Sequence, residues 1–363
     1  MSTDVWWLGA MGLCLLIQAY YYLLYYRKIS GYQGRGSNDP SKPGVSVIIC
    51  TRNEAANLSR NLPHVLAQSY EPFEVIVVDH NSSDETQQEL QRIQDDKLRV
   101  LHSEDVVSRG KRAPLELGIK SAKYDRLLLT DVDCTPASDS WIATILAHAL
   151  SPGDIVIGYG PLRVEKGLLN RWARYDNFFS SLQFLSFALR GHPYMGVGRN
   201  LSYSKTTFAD VGGFAQASSI GGDDDLLINH MSRQAKVRVC LDPDAFCYSD
   251  APKSWRAWVK RKVRHLSTGR RLDRATQWRL GLFHASQIGW YVAIAFVLMS
   301  SQWVWALAGY VARLSFVWPI TWEALNHLHD RKLRLWIPAF DLCHTLYLAL
   351  FAPALFMKPK RWI

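Results

Sequence analysis

Apolar residues are distributed along the chain in two different ways. At the ends they run almost unbroken. Val5 to Tyr26 holds no charged residue and is long enough to cross a hydrocarbon core of about 30 Å. Trp6-Trp7 at its start and Tyr20, Tyr21, Tyr22, Tyr25 and Tyr26 at its end suit the two aromatic belts of a membrane helix. Arg27 and Lys28 follow at once, so the positive-inside rule places the next segment in the cytoplasm. A cleaved signal peptide opens on basic residues and closes on small ones; this segment follows Asp4 and closes on Arg27-Lys28, which predicts a retained anchor. Three more apolar stretches, Leu280–Ser300, Trp303–Trp322 and Leu335–Met357, end the chain. The second carries Arg313, and the third carries Pro338, Asp341, His344 and Pro353. Charges and prolines at membrane depth need protein or water around them. The expectation is therefore two to three C-terminal membrane helices, the last either crossing or dipping in and returning.

From Val45 to about Ala245 the pattern changes to short apolar runs separated by helical spacing. Val45–Cys50, Glu74–Asp79, Leu98–Leu101, Leu127–Asp131 and Asp154–Gly158 read as buried strands. Between them Glu54–Gln68, Asp84–Gln94 and Ala113–Ala122 read as helices, with Ser83-Asp84 as a cap. That alternation predicts an α/β domain with a mostly parallel sheet. The chain divides into an N-terminal anchor (1–28), an α/β domain (44–250), a basic amphipathic segment (251–279) and the C-terminal membrane helices (280–357). Leu168–Leu189 is aromatic at helical spacing, which suits core packing or contact with lipid or acceptor.

Ligands on parallel sheets bind beyond the carboxyl ends of the strands, and here those ends are polar. The first runs into Thr51-Arg52-Asn53-Glu54, the second into Asp79-His80-Asn81-Ser82-Ser83-Asp84, and a later one into Asp131-Val132-Asp133. Neither GxGxxG nor GxxxxGKS is present, which argues against dinucleotide and P-loop sites. In an extended segment residues i and i+2 face the same way, so Asp131 and Asp133 are expected to converge on one point. Two carboxylates there suit a hard divalent cation, Mg2+ or Mn2+, that also holds a diphosphate.

Taken in order, Val45–Glu54, Val77–Asp84, Gly110-Lys111, Asp131-Val-Asp133, Gly212-Gly-Phe214, Gly222-Asp-Asp-Asp225 and Arg261-x-x-Arg264-His265 resemble the family 2 glycosyltransferases. These are inverting enzymes of the GT-A fold, a Rossmann-like domain. The likeness runs from about Gly44 to Arg271. Within the family, one leading anchor and an apolar tail are similar to bacterial membrane-bound members and the ceramide glucosyltransferase group. The resemblance implies a nucleotide-sugar donor, commonly a UDP-sugar, in a pocket lined by Thr51, Asn53 and Glu54. It implies that Asp79 accepts a hydrogen bond from the base and that Lys111 approaches the phosphates. Asp131 and Asp133 would hold the ribose, metal and diphosphate, with Asp133 the direct metal ligand. Asn53-Glu54 also suits a plain helix start.

A carboxylate must take the proton of the acceptor hydroxyl as the sugar leaves the nucleotide. The family's Glu-Asp pair is replaced here by Asp223-Asp224-Asp225, which leaves the register open between Asp223-Asp224 and Asp224-Asp225. Asp224 is the first choice for the base and Asp223 the second. Where many members have Gln-x-x-Arg-Trp, this chain has Arg261-Lys-Val-Arg264-His265, so the aromatic stacking role is in question. Arg264 is expected to meet the diphosphate, as a forked cation can. Gly196-Val-Gly-Arg199-Asn200 is either a pocket wall or an ordinary loop.

Charge sharpens the membrane reading. The net charge is +10, and ten Lys or Arg lie between Lys253 and Arg279 with Asp273 as the sole acid. Trp255 and Trp258, three apart in this block, fit a helix in the headgroup region. Basic residues confined beside apolar helices point to lipid and phosphate rather than nucleic acid. The six cysteines form no CxxC pair, so their spacing implies free thiols and no zinc or redox site. The expected product of all this is an integral protein of the plasma membrane with its catalytic domain in the cytoplasm. Its acceptor is expected to be a lipid or lipid-linked glycan. Two rivals use the same motifs: a processive polysaccharide synthase, which needs a longer membrane channel, and a non-catalytic relative, against which the intact acids argue. A nucleotidyltransferase leaves Arg261-x-x-Arg264 unexplained.

Overall fold

The computed structural model describes residues 3–34, 36, 42–103, 111–214, 223–267 and 269–356, without the side chains of 3, 4, 223–225 and 356. The chain opens on α1 (Thr3–Tyr21), which passes through a π turn (Tyr22–Tyr26) into α2 (Arg27–Ser30). There follow β1 (Val45–Thr51), α3 (Ala55–Leu66), β2 (Phe73–Asp79), α4 (Thr86–Arg92), β3 (Leu98–His102), α5 (Arg112–Ser121) and β4 (Arg126–Asp131). Next come β5 (Cys134–Pro136), α6 (Trp141–Ala147), β6 (Ile155–Gly158), α7 (Leu168–Leu189), β7 (Leu201–Ser204), α8 (Lys205–Asp210) and α9 (Asp223–Met231). The last elements are β8 (Val237–Cys240), β9 (Cys247–Ser249), α10 (Trp255–Leu266), α11 (Arg274–Leu298), α12 (Trp303–His327) and α13 (Ile337–Phe351). They form two units: Gln33–Arg174 with Pro193–Trp255, and Met1–Tyr32 with Tyr175–His192 and Arg256–Met357.

The first unit is built on a sheet of order β3-β2-β1-β4-β7-β6-β8, with β5 and β9 as a separate antiparallel pair. All neighbours run parallel except those of β7, so the sheet is mostly parallel. β1 and β2 are buried at every position, as strands covered by helices on both faces must be. On one face Leu58, Leu62 and Val65 of α3 and Trp141, Ile142 and Ile145 of α6 pack with Val45, Val47, Ile49 and Val75. On the other, α5 comes so close that a Cβ on Gly118 would stand 2.8 Å from Ile48 Cγ2. The expected strands and helices are all present, with ends shifted by a residue or two. Asp84 differs from the expectation of a simple cap, since α4 begins at Thr86.

The second unit contains the helices long and apolar enough to cross a membrane, Val5–Ser30, Arg274–Leu298, Trp303–His327 and Arg331–Leu355. Among the described residues the C-terminal part thus offers three candidate spans. The charges at membrane depth answer each other: Arg313 Nη1 and Nη2 donate to Asp341 at 2.6 and 3.1 Å, and Arg313 Nε donates to Gln18 Oε1 at 2.7 Å. Tyr291 Oη donates to the same carboxylate at 2.7 Å. Pro338 sits in the first turn of α13 and Pro353 in a terminal 3-10 turn, so neither interrupts a helix interior. In α7, Trp172, Tyr175, Phe178, Phe179, Leu182 and Leu185 are all buried, which makes this helix packing rather than a lipid-facing surface.

Candidate active site

The ladder between strands lines up the polar ends. Thr51 pairs in register with Asp79, Asp79 with His102, and Cys50 with Asp131. Neighbouring strands stand roughly 4.8 Å apart, so these groups share one edge of the sheet. The strand order reverses between β1 and β4, where parallel sheets open a crevice. Thr51 is fully buried, and its Oγ1 has no hydrogen-bond partner among the described residues. A bound ligand can satisfy such a group.

Two loops leave this edge and hold one another. Asn53 and Asn81 both adopt left-handed backbone, at φ of 56° and 59°, a conformation for which Asn is among the better non-glycine choices. The Asn53 amide donates to Ser82 Oγ at 2.9 Å, and Asn53 Oδ1 accepts from the Ser83 amide at 2.7 Å. Asp84 accepts from the Thr86 amide at 3.0 Å and, through its other oxygen, from the Ala55 amide at 3.3 Å. A cleft lined by Asn53, Glu54, Asn57, Ser83, Asp84 and Gln88 opens beside the start of α3. Asp79 is fully buried. Its Oδ1 accepts from Ser82, its Oδ2 accepts from Gln87 Nε2 at 3.0 Å, and Oδ2 stands 3.6 Å from His102 Nδ1.

The acidic pair is reached by a turn and not by strand alternation. Asp131 closes β4, Val132 and Asp133 form the turn, and Cys134 opens β5. The chain must turn here because it leaves the main sheet for the β5–β9 pair. Val132 points inward, and its carbonyl accepts from Asn61 Nδ2 at 2.9 Å. Donor atoms of Asp131, Asp133 and Cys134 lie within 4.8 Å of one another, so the expected convergence holds for a different reason. Cys134 Sγ lies 3.2 Å from Asp133 Oδ1 as donor; the sequence pattern gave this thiol no part in the site. Lys111, at the start of α5, is ion-paired with Asp131. Burial pushes the Glu54 carboxyl up, a bond from Asn57 opposes that, and the charges of Asp133, Asp84 and Asp131 push it further up. An edge this rich in carboxylates has the chemistry to accept a divalent cation, and Asp131 and Asp133 are the residues that could hold one.

Asp223, Asp224 and Asp225 start α9, but their side chains lie outside the described residues. Arg261 and Arg264 lie on α10 in the other unit, both half-buried. On that helix Trp255 is 48% exposed and Trp258 only 6%, so the two do not share a surface face. Trp258 Nε1 donates to Asp176 at 3.0 Å, and Lys262 Nζ lies 2.6 Å from the same carboxylate. Both residues of the basic block therefore face inward. Gly196–Asn200 has no helix or strand, and Asn200 anchors it: it accepts from Trp141 Nε1 at 3.0 Å and donates to the Tyr159 and Ala245 carbonyls, each at 2.8 Å.

The chain matches Glycosyl transferase family 2 over residues 46–212 and Glycosyl transferase family group 2 over residues 141–350. It is 24% identical over 233 residues to the poly-beta-1,6-N-acetyl-D-glucosamine synthase of Staphylococcus aureus, covering 62% of this chain and 54% of that one. The Staphylococcus epidermidis protein of the same name is 23% identical over 277 residues, 75% of this chain and 65% of its own. The chain thus spans about half the length of the S. aureus relative. Among solved structures, the mannosyltransferase PcManGT of Pyrobaculum calidifontis, in complex with GDP-Man and Mn2+, superposes with a TM-score of 0.60 at 19% identity. The match covers 93% of this chain and 99% of that one, and the shared fold is GT-A.

Proposed function

The chain belongs to glycosyltransferase family 2, and from that premise we propose that it is an inverting enzyme moving a sugar from a nucleotide-sugar, a UDP-sugar first of all, to a lipid or lipid-linked acceptor at the cytoplasmic face of the plasma membrane. The observation that supports this most is the shared edge at the β1–β4 crevice, where Thr51 stands in register with Asp79 and the neighbouring Cys50 with Asp131, with Glu54 and Asp133 beside them. In this reading Thr51 takes a hydrogen bond from the nucleotide, and the base replaces Gln87 as a donor to Asp79. Asn53 and Glu54 shape the wall. Asp131 and Asp133 would hold a Mg2+ or Mn2+ ion, which would supply positive charge to balance the departing diphosphate. Lys111, released from Asp131, turns to the phosphates, and Arg261 and Arg264 add binding cations. Asp224, with Asp223 as alternative, removes the acceptor proton.

Likeness to the staphylococcal synthases favours a second reading, repeated transfer that builds a polymer, with UDP-GlcNAc the first donor to try. Release of nucleoside diphosphate from a panel of nucleotide-sugars, with and without membrane lipid extract, tests the proposal. Lipid-dependent turnover of one donor is the expected result, and silence with every donor overturns it. Chain length of the glycan product separates single transfer from polymerisation.

A further inference from the structure

Far along the sheet from the acidic pair, at the β8 edge, three side chains of different chemistry meet. His148 follows α6, Cys240 ends β8 and Asp242 follows it. His148 Nε2 stands 3.2 Å from Asp242 Oδ2, and Cys240 Sγ stands 3.9 Å from the same oxygen. All three donor atoms lie within 4.8 Å of one another. A tetrahedral zinc ion with oxygen and nitrogen at about 2.0 Å and sulfur at about 2.3 Å spaces its donors roughly 3.3–3.6 Å apart. The histidine–aspartate leg is at that spacing, and the thiol, at 3.9 Å from Asp242, needs to move inward by a few tenths of an ångström.

The histidine is also turned the right way. Its Nδ1 lies 3.0 Å from the Thr144 carbonyl. A carbonyl only accepts, so Nδ1 carries the proton and Nε2 is the atom that faces Asp242. Metal-bound histidines are commonly held by such a backbone carbonyl. His148 and Cys240 are buried, at 5% and 0% exposure, while the Asp242 side chain is 35% exposed. Two donors are fixed inside, and the third leaves a way in for an ion and a water.

We infer that His148, Cys240 and Asp242 form a zinc site distinct from the Asp131–Asp133 pair. Thiolate with imidazole selects Zn2+ over Mg2+ or Mn2+. On binding, Cys240 gives up its thiol proton to solvent, and thiolate plus carboxylate neutralise the ion, with a water in the fourth position. The ion fastens the end of α6 to the segment that leads into β9. That strand pairs with β5, Cys134 opposite Ser249, directly after Asp133. The same cluster without an ion is a histidine–aspartate contact with a thiol beside it.

Full-length protein in detergent, stripped with a chelator, is titrated with Co2+ and then Zn2+. The expected result is one equivalent of Co2+ with a thiolate-to-metal charge-transfer band, displaced by Zn2+, which also raises Tm. Cys240→Ala loses the band, whereas Asp133→Asn and Cys134→Ser keep it. Asp242→Asn, at the partly exposed position, weakens the band in a protein of unchanged near-ultraviolet circular dichroism, which covers the case that Cys240→Ala does not fold. A folded parent with no charge-transfer band leaves only the histidine–aspartate contact and overturns the inference. A band lost in Cys134→Ser but kept in Cys240→Ala also overturns it.

Discussion

Asp84 accepts from the Thr86 amide and hydroxyl and from the Ala55 amide, so one carboxylate ties the start of α4 to the start of α3. Burial alone would push its pKa up. The bonds from Thr86 and Ala55 outweigh that and leave it below the ordinary value of 3.8. A lowered carboxylate stabilises the fold above its unfolded pKa, and that contribution is lost as pH falls through the lowered value. Asp84 is exposed, so water screens this carboxylate, and Asp84→Ala is expected to lower stability by less than about 1 kcal/mol. The gap in Tm between parent and variant should close on acidification below the ordinary value. At the acidic pair, Asp133→Asn is expected to abolish Mn2+-dependent nucleotide binding without unfolding the protein, read by calorimetry with and without EDTA. Asp224→Asn should keep donor affinity within a few-fold and lower single-turnover rate by roughly 10²–10⁴. Asp223→Asn measured alongside finds the register, and normal turnover in both removes the cluster from the mechanism.

At the scale of elements, some structure was readable and some was not. β1, β2 and β4 announce themselves because both faces are buried, which leaves runs such as Val45–Cys50 almost without polar residues. Asp131 and Asp133 were picked out by their place after such a run. The turn between them was not, since it depends on β5 pairing with β9, more than a hundred residues onward. Asn53 and Asn81 gave no pattern for their left-handed backbone, which rests on bonds between two separate loops. The His148, Cys240 and Asp242 cluster is hidden for the same reason: its parts come from distant elements and form no spaced motif. Asn200, in a segment the pattern left open between pocket wall and ordinary loop, is tied into the domain by three side-chain bonds. Asn200→Ala would strand the Trp141 indole N–H and the Ala245 carbonyl inside the domain and take from the Tyr159 carbonyl the shorter of its bonds, leaving the one from the Cys247 amide. A loss of roughly 2–4 kcal/mol in denaturant unfolding is expected.

Across the whole molecule, the buried Arg313–Asp341 pair sets what the terminal helices tolerate. Removing one partner leaves an uncompensated charge, for which a loss of about 3–5 kcal/mol is usual, whereas replacing both with apolar groups is often nearly neutral. Arg313→Met and Asp341→Leu singly should each destabilise the protein in detergent, and the double variant should recover most of the loss. Thermal unfolding of the three variants and the parent gives the coupling directly. Orientation is a separate matter: under the cytoplasmic reading, a reporter placed near Gly36 stays protected from impermeant label in intact cells. Labelling from outside would reverse the topology.

That same pair bears on how the protein is made. A nascent α12 meets lipid with Arg313 before Asp341 has been synthesised, and an arginine at the bilayer centre opposes partitioning by about 2.5–3.5 kcal/mol. Gln18 of α1, already in place, offers Arg313 a first partner at 2.7 Å. Until α13 follows, though, the guanidinium keeps no counter-charge from this carboxylate. α12 is then expected to linger at the translocon and to leave it together with α13. A chain halted after residue 330 should remain crosslinkable to the insertion machinery and be degraded early, while one carrying Arg313→Leu should be released into lipid at that length.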